Sequence, residues 1–287
     1  VAILTIAGSE QELTPAAAER ITAHVERAIA ERGSAVVALT GGSTPRHLYE
    51  ALADPAKPWR ARIEWSRVHL FWGDERHVPP DHRDSNFRMA DEALVRRVPI
   101  PASQVHRMRG ELADAAQAAR EYDHTLRIGF VTAGRADATF DVMLLGVGED
   151  AHIASIFPGS ELLPRHLMNG RPTNDAGQAR AGSGTATSPG QDHSNAGRGF
   201  TPRRERVAAV WAEHLDAWRI TLTPSALLDS RAIVMLVSGD KKAPAVHAAI
   251  EGPPDVQRWP AQLLREANDR VEWLVDRAAA SLIDAAR

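Results

Sequence analysis

The sequence predicts an α/β fold: a mostly parallel central sheet with helices on both faces. Three observations carry this expectation. Nearly continuous apolar runs recur along the chain, as strands covered on both sides require. Amphipathic stretches alternate with them in the rhythm of βα crossovers. Glycine-rich or charge-rich segments directly follow several runs, at the edge where a parallel sheet binds its ligands.

Taken in order, Val1 to Ile6 is an apolar stretch with no basic segment ahead of it, too short for a leader core or a membrane span. Thr14-Pro15 predicts a helix start, with the helix running to about Arg32 and stopped by Gly33. Ala35 to Leu39 is the first buried strand, and a helix is expected after Thr44. Val68 to Trp72 is the second, with a helix after Ser85. Leu112, Ala116, Ala119, Tyr122 and Leu126 recur at helical spacing between Glu111 and Arg127. Phe140 to Val147 and Ala232 to Ser238 are the remaining clear strands, while Val207 to Val210, Ile220 to Thr223 and Val271 to Val275 are weaker ones. Helices are expected after Lys241 and Asp276.

One segment breaks the rhythm. Gly170 to Glu205 holds seven glycines and three prolines, with Phe200 its sole large apolar side chain. Such a stretch buries too little to offset its ordering entropy. A flexible insertion at 170–205 within a single domain spanning 1–287 is therefore expected.

Composition narrows the function. With 44% hydrophobic and 25% charged residues, the 287-residue chain is globular in character. A formal charge of -3 supplies no reason to expect nucleic acid as a partner. The absence of cysteine excludes disulfides, thiol nucleophiles and thiolate metal sites. A cytoplasmic monomer without membrane association is the expectation.

Four loops carry potential chemistry. Thr40-Gly41-Gly42-Ser43-Thr44-Pro45 follows the first strand; its glycines permit tight turns, and Ser43 or Thr44 can cap the next helix. Helix amides there suit an anion, although the Walker Gly-Lys-Ser/Thr ending is missing. Trp72-Gly73-Asp74-Glu75-Arg76 follows the second strand and continues through His77, His82 and Asp84 to Ser85-Asn86. Arg76 suits an anionic group or a developing oxyanion. His77, His82 and the aspartates offer metal ligands, but without an established zinc spacing no metal is expected. Gly146-Val147-Gly148-Glu149-Asp150-Ala151-His152 follows the most apolar strand and lacks the third glycine of a dinucleotide fingerprint, so no cofactor is expected. Its Asp150-x-His152 pair is the stronger signal, because imidazole acts as a base near neutral pH and a carboxylate fixes its tautomer. Arg219 and Lys241, the latter in Ser238-Gly239-Asp240-Lys241, add cations suited to a phosphate dianion.

Taken together and in this order, these segments resemble the 6-phosphogluconolactonase family. The resemblance rests on Leu39 to Pro45, Trp72 to Arg76 with Ser85-Asn86, Gly146 to Gly159, Arg219 to Thr223 and Gly239-Asp240-Lys241, and omits only about residues 168–210. It implies a fold shared with glucosamine-6-phosphate deaminases, and metal-free hydrolysis of 6-phospho-glucono-1,5-lactone, a small-molecule sugar phosphate of the pentose phosphate pathway. It further implies that His152 is the general base, Asp150 orients it, and Arg76 contacts the substrate. Gly42, Ser43 and Thr44 would line the pocket, with Arg219 and Lys241 at the 6-phosphate.

The chain departs from the family pattern in three places. Ala151 stands where the family has glycine before the histidine, which disfavours a positive φ by roughly 1 kcal/mol or more. Ile153 replaces a threonine, giving the His-Ile-Ala order of the deaminases, and Leu215-Asp216-Ala217-Trp218 replaces a proline-rich approach to Arg219. Two alternatives stay open on these grounds: a sugar-phosphate binder that has lost its chemistry, and an amino-sugar-phosphate isomerase or deaminase.

Overall fold

The computed structural model describes residues 2–164 and 205–284. The predicted insertion at 170–205 therefore lies outside the described residues, apart from Glu205.

Six strands form an all-parallel sheet: β1 (Ile3–Ala7), β2 (Ala35–Leu39), β3 (Val68–Trp72), and three more described below. Strand β4 (Asp74–Arg76) leaves this sheet at once and joins a second one. Then come β5 (Phe140–Leu145), the hairpin of β6 (Val207–Ala212) and β7 (Ala217–Leu222), and the last two parallel strands, β8 (Ser230–Val237) and β9 (Val271–Asp276). The central order is β1-β9-β8-β5-β2-β3, and the small antiparallel sheet runs β4-β7-β6. Every residue of β2, β3, β5 and β9 is buried, which explains their largely apolar sequences; His69, Asp141, Glu272 and Asp276 are the buried polar exceptions.

The helices are α1 (Glu10–Arg32), α2 (Ser43–Ala53), α3 (Pro58–Arg62), α4 (Asn86–Ala93), α5 (Ala115–Thr132), α6 (Pro224–Leu228) and α7 (Ala243–Ile250). Leu13, Ala17, Ile21, Val25 and Ala28 form the buried stripe of α1 at helical spacing. On the far side, Phe71 of β3 packs on Phe130 of α5 and on Phe140 of β5.

Several boundaries differ from expectation. Helix α1 begins at Glu10, where Ser9 Oγ accepts from Glu12 N, and Pro15 lies inside it. Helix α5 starts at Ala115 behind the Asp114 cap, leaving Leu112 outside. The apolar N-terminal stretch is an edge strand among the described residues, paired with β9 and exposed at Ile3 and Ile6. Among the described residues no helix follows Asp276: the chain turns there, with Ala279 N donating to the Asp276 carboxylate. Val207 to Val210 and Ile220 to Leu222 are indeed strand, but they belong to the small sheet, and Thr223 is instead the N-cap of the helix Pro224–Leu228.

The crossover leaving β2 leads to β3 on one side, and the chain leaving β5 leads to β8 on the other. Their carboxyl ends thus flank a topological switch point, the usual binding crevice of an open parallel sheet.

Candidate active site

Two tyrosines finish the strands on one side of this crevice. Thr40 N donates to Tyr49 Oη at 2.9 Å, and the same hydroxyl donates back to Thr40 O at 2.8 Å. Tyr122 does the same for Trp72, with distances of 2.8 and 3.0 Å. Both hydroxyls are buried, and burial pushes both phenols well above their ordinary pKa. Each satisfies backbone groups that a neighbouring strand no longer reaches.

Beyond Thr40, Gly42 takes the N-cap position of α2 with φ 111. No side chain caps this helix, in contrast to the expected role of Ser43 or Thr44. The Ser43 and Thr44 N–H groups therefore have no protein partner among the described residues. Gly41 packs so tightly that a Cβ there would lie 1.9 Å from Asn86 Oδ1. This contact joins the loop after β2 to the start of α4.

The Asp74-Glu75-Arg76 stretch divides its labour. Glu75 is 2% exposed, and its carboxylate accepts from Asn86 N at 2.7 Å, Phe87 N at 2.8 Å, Ser85 Oγ at 3.0 Å and Arg76 N at 2.8 Å. Burial pushes its pKa up despite these four donors. It acts as an anionic cap on α4. Asp74 is also buried; its Oδ2 accepts from Ser155 Oγ at 2.6 Å, and Asn86 Nδ2 donates to its backbone oxygen at 3.0 Å. Arg76 remains half-buried, and its Nη1 donates to Asp84 O.

Arg76 is the direct cross-strand partner of Arg219 in the β4–β7 pairing. Facing residues of an antiparallel pair project to the same side of the sheet. Burial, and then the Arg76 charge, hold the Arg219 guanidinium below its ordinary pKa. Neither arginine has a carboxylate salt-bridge partner among the described residues. Two like charges held side by side form a dianion-binding arrangement.

The histidine loop arrives from β5. His152 Nδ1 lies 2.6 Å from Asp150 Oδ1, and His152 N also donates to that oxygen at 3.2 Å. Burial alone would raise the Asp150 carboxyl; the His152 contacts and backbone N–H groups outweigh it and bring its pKa down to about 2. The imidazole Nε2 makes no hydrogen bond among the described residues. Ala151 adopts φ 63, the left-handed conformation that favours glycine. Its N–H donates to Gly148 O at 3.0 Å and its carbonyl accepts from Ala261 N at 2.9 Å, so both sides hold the strained residue while His152 still reaches Asp150. Gly148 is obligatory, since a Cβ there would meet His152 Nδ1 at 2.1 Å. Ser155 N donates to Thr221 Oγ1 at 3.2 Å, which ties this loop to the strand bearing Arg219.

The structure pairs Asp150 with His152 and Arg76 with Arg219, and joins the loops that carry Gly42, Ser43 and Thr44, Arg76, and His152 through Gly41, Asn86, Asp74 and Ser155. Lys241 stands apart. It is exposed in the short turn Asp240–Lys242 after β8, with no ion pair among the described residues. That turn lies at the same sheet edge, because β8 neighbours β5. Sequence reasoning missed the buried roles of Asp74 and Glu75 and the capping tyrosines. The Ser85-Asn86 pair was the available signal, being an N-cap with its acidic partner upstream.

A family model described as glucosamine-6-phosphate isomerases/6-phosphogluconolactonase matches residues 8–180 and 189–273. The chain belongs to this family. It is 36% identical over 273 residues to a 6-phosphogluconolactonase of Mycobacterium tuberculosis, covering 94% of this chain and 93% of that one. It is 34% identical over 267 residues to a 6-phosphogluconolactonase of a Synechocystis species, covering 90% and 89%. Among solved structures, a 6-phosphogluconolactonase from Thermotoga maritima aligns with TM-score 0.68 and 25% identity, over 96% of this chain and all of that one. A monomeric glucosamine-6-phosphate deaminase aligns with TM-score 0.71 at 20% identity, over 98% and 99% of the two chains, which shows the fold that both activities share. No described helix is long and apolar enough to cross a membrane.

Proposed function

We propose that this protein hydrolyses 6-phospho-glucono-1,5-lactone to 6-phosphogluconate. The observation that carries the reading is the His152–Asp150 pair, 2.6 Å apart with Nε2 unpartnered among the described residues, on the loop that follows β5; the cross-strand pair Arg76 and Arg219 adds two cations. The 6-phosphogluconolactonases it resembles over nearly their whole length support the substrate.

In this mechanism His152 Nε2 removes a proton from water as the water oxygen bonds to the lactone C1. Asp150 holds the Nδ1–H tautomer and offsets the imidazolium charge. The carbonyl oxygen becomes an oxyanion, which a guanidinium of the arginine pair stabilises. Collapse of the tetrahedral intermediate breaks the bond from C1 to the ring oxygen, and the imidazolium proton passes to that oxygen. The product is an open-chain acid, which ionises. Arg219, with Lys241 and the free amides of Ser43 and Thr44, holds the 6-phosphate and sugar oxygens. The reading carries with it a cytoplasmic monomer whose partner is a small molecule, needing no cofactor, nucleic acid or membrane.

The test is acid release from freshly prepared lactone, above the spontaneous rate, for wild type and His152→Ala. Turnover that disappears in the variant while 6-phosphogluconate still binds supports the reaction and its base. Equal rates remove His152 from the mechanism. Ammonia release from glucosamine 6-phosphate, without lactone turnover, would replace the reading with a deaminase, the assignment that His152-Ile153-Ala154 favours.

A further inference from the structure

Phe157 contacts two imidazoles. Its ring centroid is 4.7 Å from that of His152, with the planes inclined by 47°. It is also 4.8 Å from that of His214, close to edge-on at 72°. Phe157 belongs to the same loop as His152, which folds back on itself through the Ile153–Ile156 bridge. His214 arrives from elsewhere, on the helical turn Glu213–Leu215 at the tip of the β6–β7 hairpin. Asp216, left-handed at φ 47, closes that tip.

We infer that Phe157 is a positioning residue for His152, held in place by His214. The inference rests on His152 being the base. Asp150 restrains the imidazole at Nδ1 alone, and a third of the His152 side chain is exposed. A ring anchored at one nitrogen still rocks about that hydrogen bond. A rigid aromatic ring packed against it at this inclination blocks the rocking and keeps Nε2 directed at the water it must deprotonate. Small misplacements of a reacting group are costly in rate. The aromatic ring also contributes where it matters most: once His152 takes a proton, the imidazolium lies within the range at which a ring's quadrupole attracts a cation. This attraction is absent from the neutral resting state, so it favours the transition state over bound substrate. His214, edge-on to Phe157, fixes the torsion of the phenyl ring.

The experiment compares Phe157→Leu, Phe157→Tyr and His214→Ala with wild type, measuring kcat and KM on the lactone. Nitrogen-15 NMR of the His152 ring, assigned with His152→Ala, accompanies it. Leucine fills much of the same space without a flat face or quadrupole, so kcat falls roughly tenfold with KM nearly unchanged. Tyrosine keeps the ring and restores kcat to within about twofold, and His214→Ala lowers kcat by a smaller factor of about three. The ring nitrogens report one tautomer in wild type and Phe157→Tyr, and an average of two in Phe157→Leu. A leucine variant with wild-type kcat and a single tautomer overturns the inference, as does a loss confined to KM. If Phe157→Leu fails to fold, Phe157→Tyr and His214→Ala decide the matter. If the wild-type protein has no lactonase activity, the functional reading fails, while the nitrogen spectra still test the ring clamp.

Discussion

Ser155 Oγ donates to Asp74 Oδ2 at 2.6 Å, and both side chains are buried. This bond fastens the histidine loop to the strand that carries Arg76, so it sets the distance between base and cation. Ser155→Ala leaves a buried carboxylate short of one donor. A hydrogen bond to a charged group is worth about 1.5–3 kcal/mol, and thermal or urea unfolding should register a loss of about 2 kcal/mol. Turnover should fall as well, because the two loops lose their register. Unchanged stability would show that solvent replaces the hydroxyl.

Gly148→Ala separates folding from chemistry. The added methyl would occupy the space of His152 Nδ1 and Asp150 Oδ1, at 2.1 and 2.4 Å. The flexible side chains, rather than the backbone, give way. The variant should keep its far-ultraviolet circular dichroism while kcat drops at least roughly tenfold, since general-base catalysis contributes about 10²–10⁴. Wild-type turnover would mean that the close pair is dispensable.

Ala151→Gly should stabilise. A left-handed L-residue costs roughly 1–2 kcal/mol, and glycine returns part of that through greater freedom of the unfolded chain. At φ 63 the net gain should be about 0.5–1 kcal/mol in the unfolding free energy, with the His152–Asp150 pair kept and turnover equal or higher. A loss of stability would show that the buried methyl's packing outweighs the strain.

Acid should weaken the fold through a histidine pair remote from the crevice. His69 Nδ1 and His106 Nε2 lie 3.2 Å apart, and the rings are stacked with centroids 5.5 Å apart. Burial, and then His69, bring the His106 pKa down to about 4; burial, and then Arg135, lower that of His69. Because the folded values lie below the unfolded value of about 6.5, the unfolded chain binds more protons. The neutral pair's contribution is complete above pH 6.5 and is lost as pH falls from there toward 4. For His106 the loss should reach about 1–2 kcal/mol by pH 5. Urea titrations at pH 7.5 and 5 measure it, and His106→Gln should flatten the difference. An equal slope in the variant would assign the acid lability to other groups.

The sequence by itself determined the parallel sheet and the loops that matter. Strands such as Ala35–Leu39 and Phe140–Leu145 are covered on both faces, so burial forces nearly continuous apolar runs that are visible without coordinates. Glycine and charge directly after those runs likewise mark the loops that carry Gly42, Arg76, Asp150 and His152, which the fold places after the ends of β2, β3 and β5. Tertiary structure alone decided what depends on distant partners. The second sheet was illegible, because β6 and β7 reveal their membership only by pairing with β4, far upstream. Exposed Ile3 and Ile6 gave no strand signal, since an edge strand borrows its order from β9. Within Asp74-Glu75-Arg76, three adjacent charges read alike in sequence. Only the fold turns two of them inward onto Ser155 and the α4 amides and leaves Arg76 beside Arg219. A charge's role follows from what surrounds it, and those surroundings come from parts of the chain that only folding brings together.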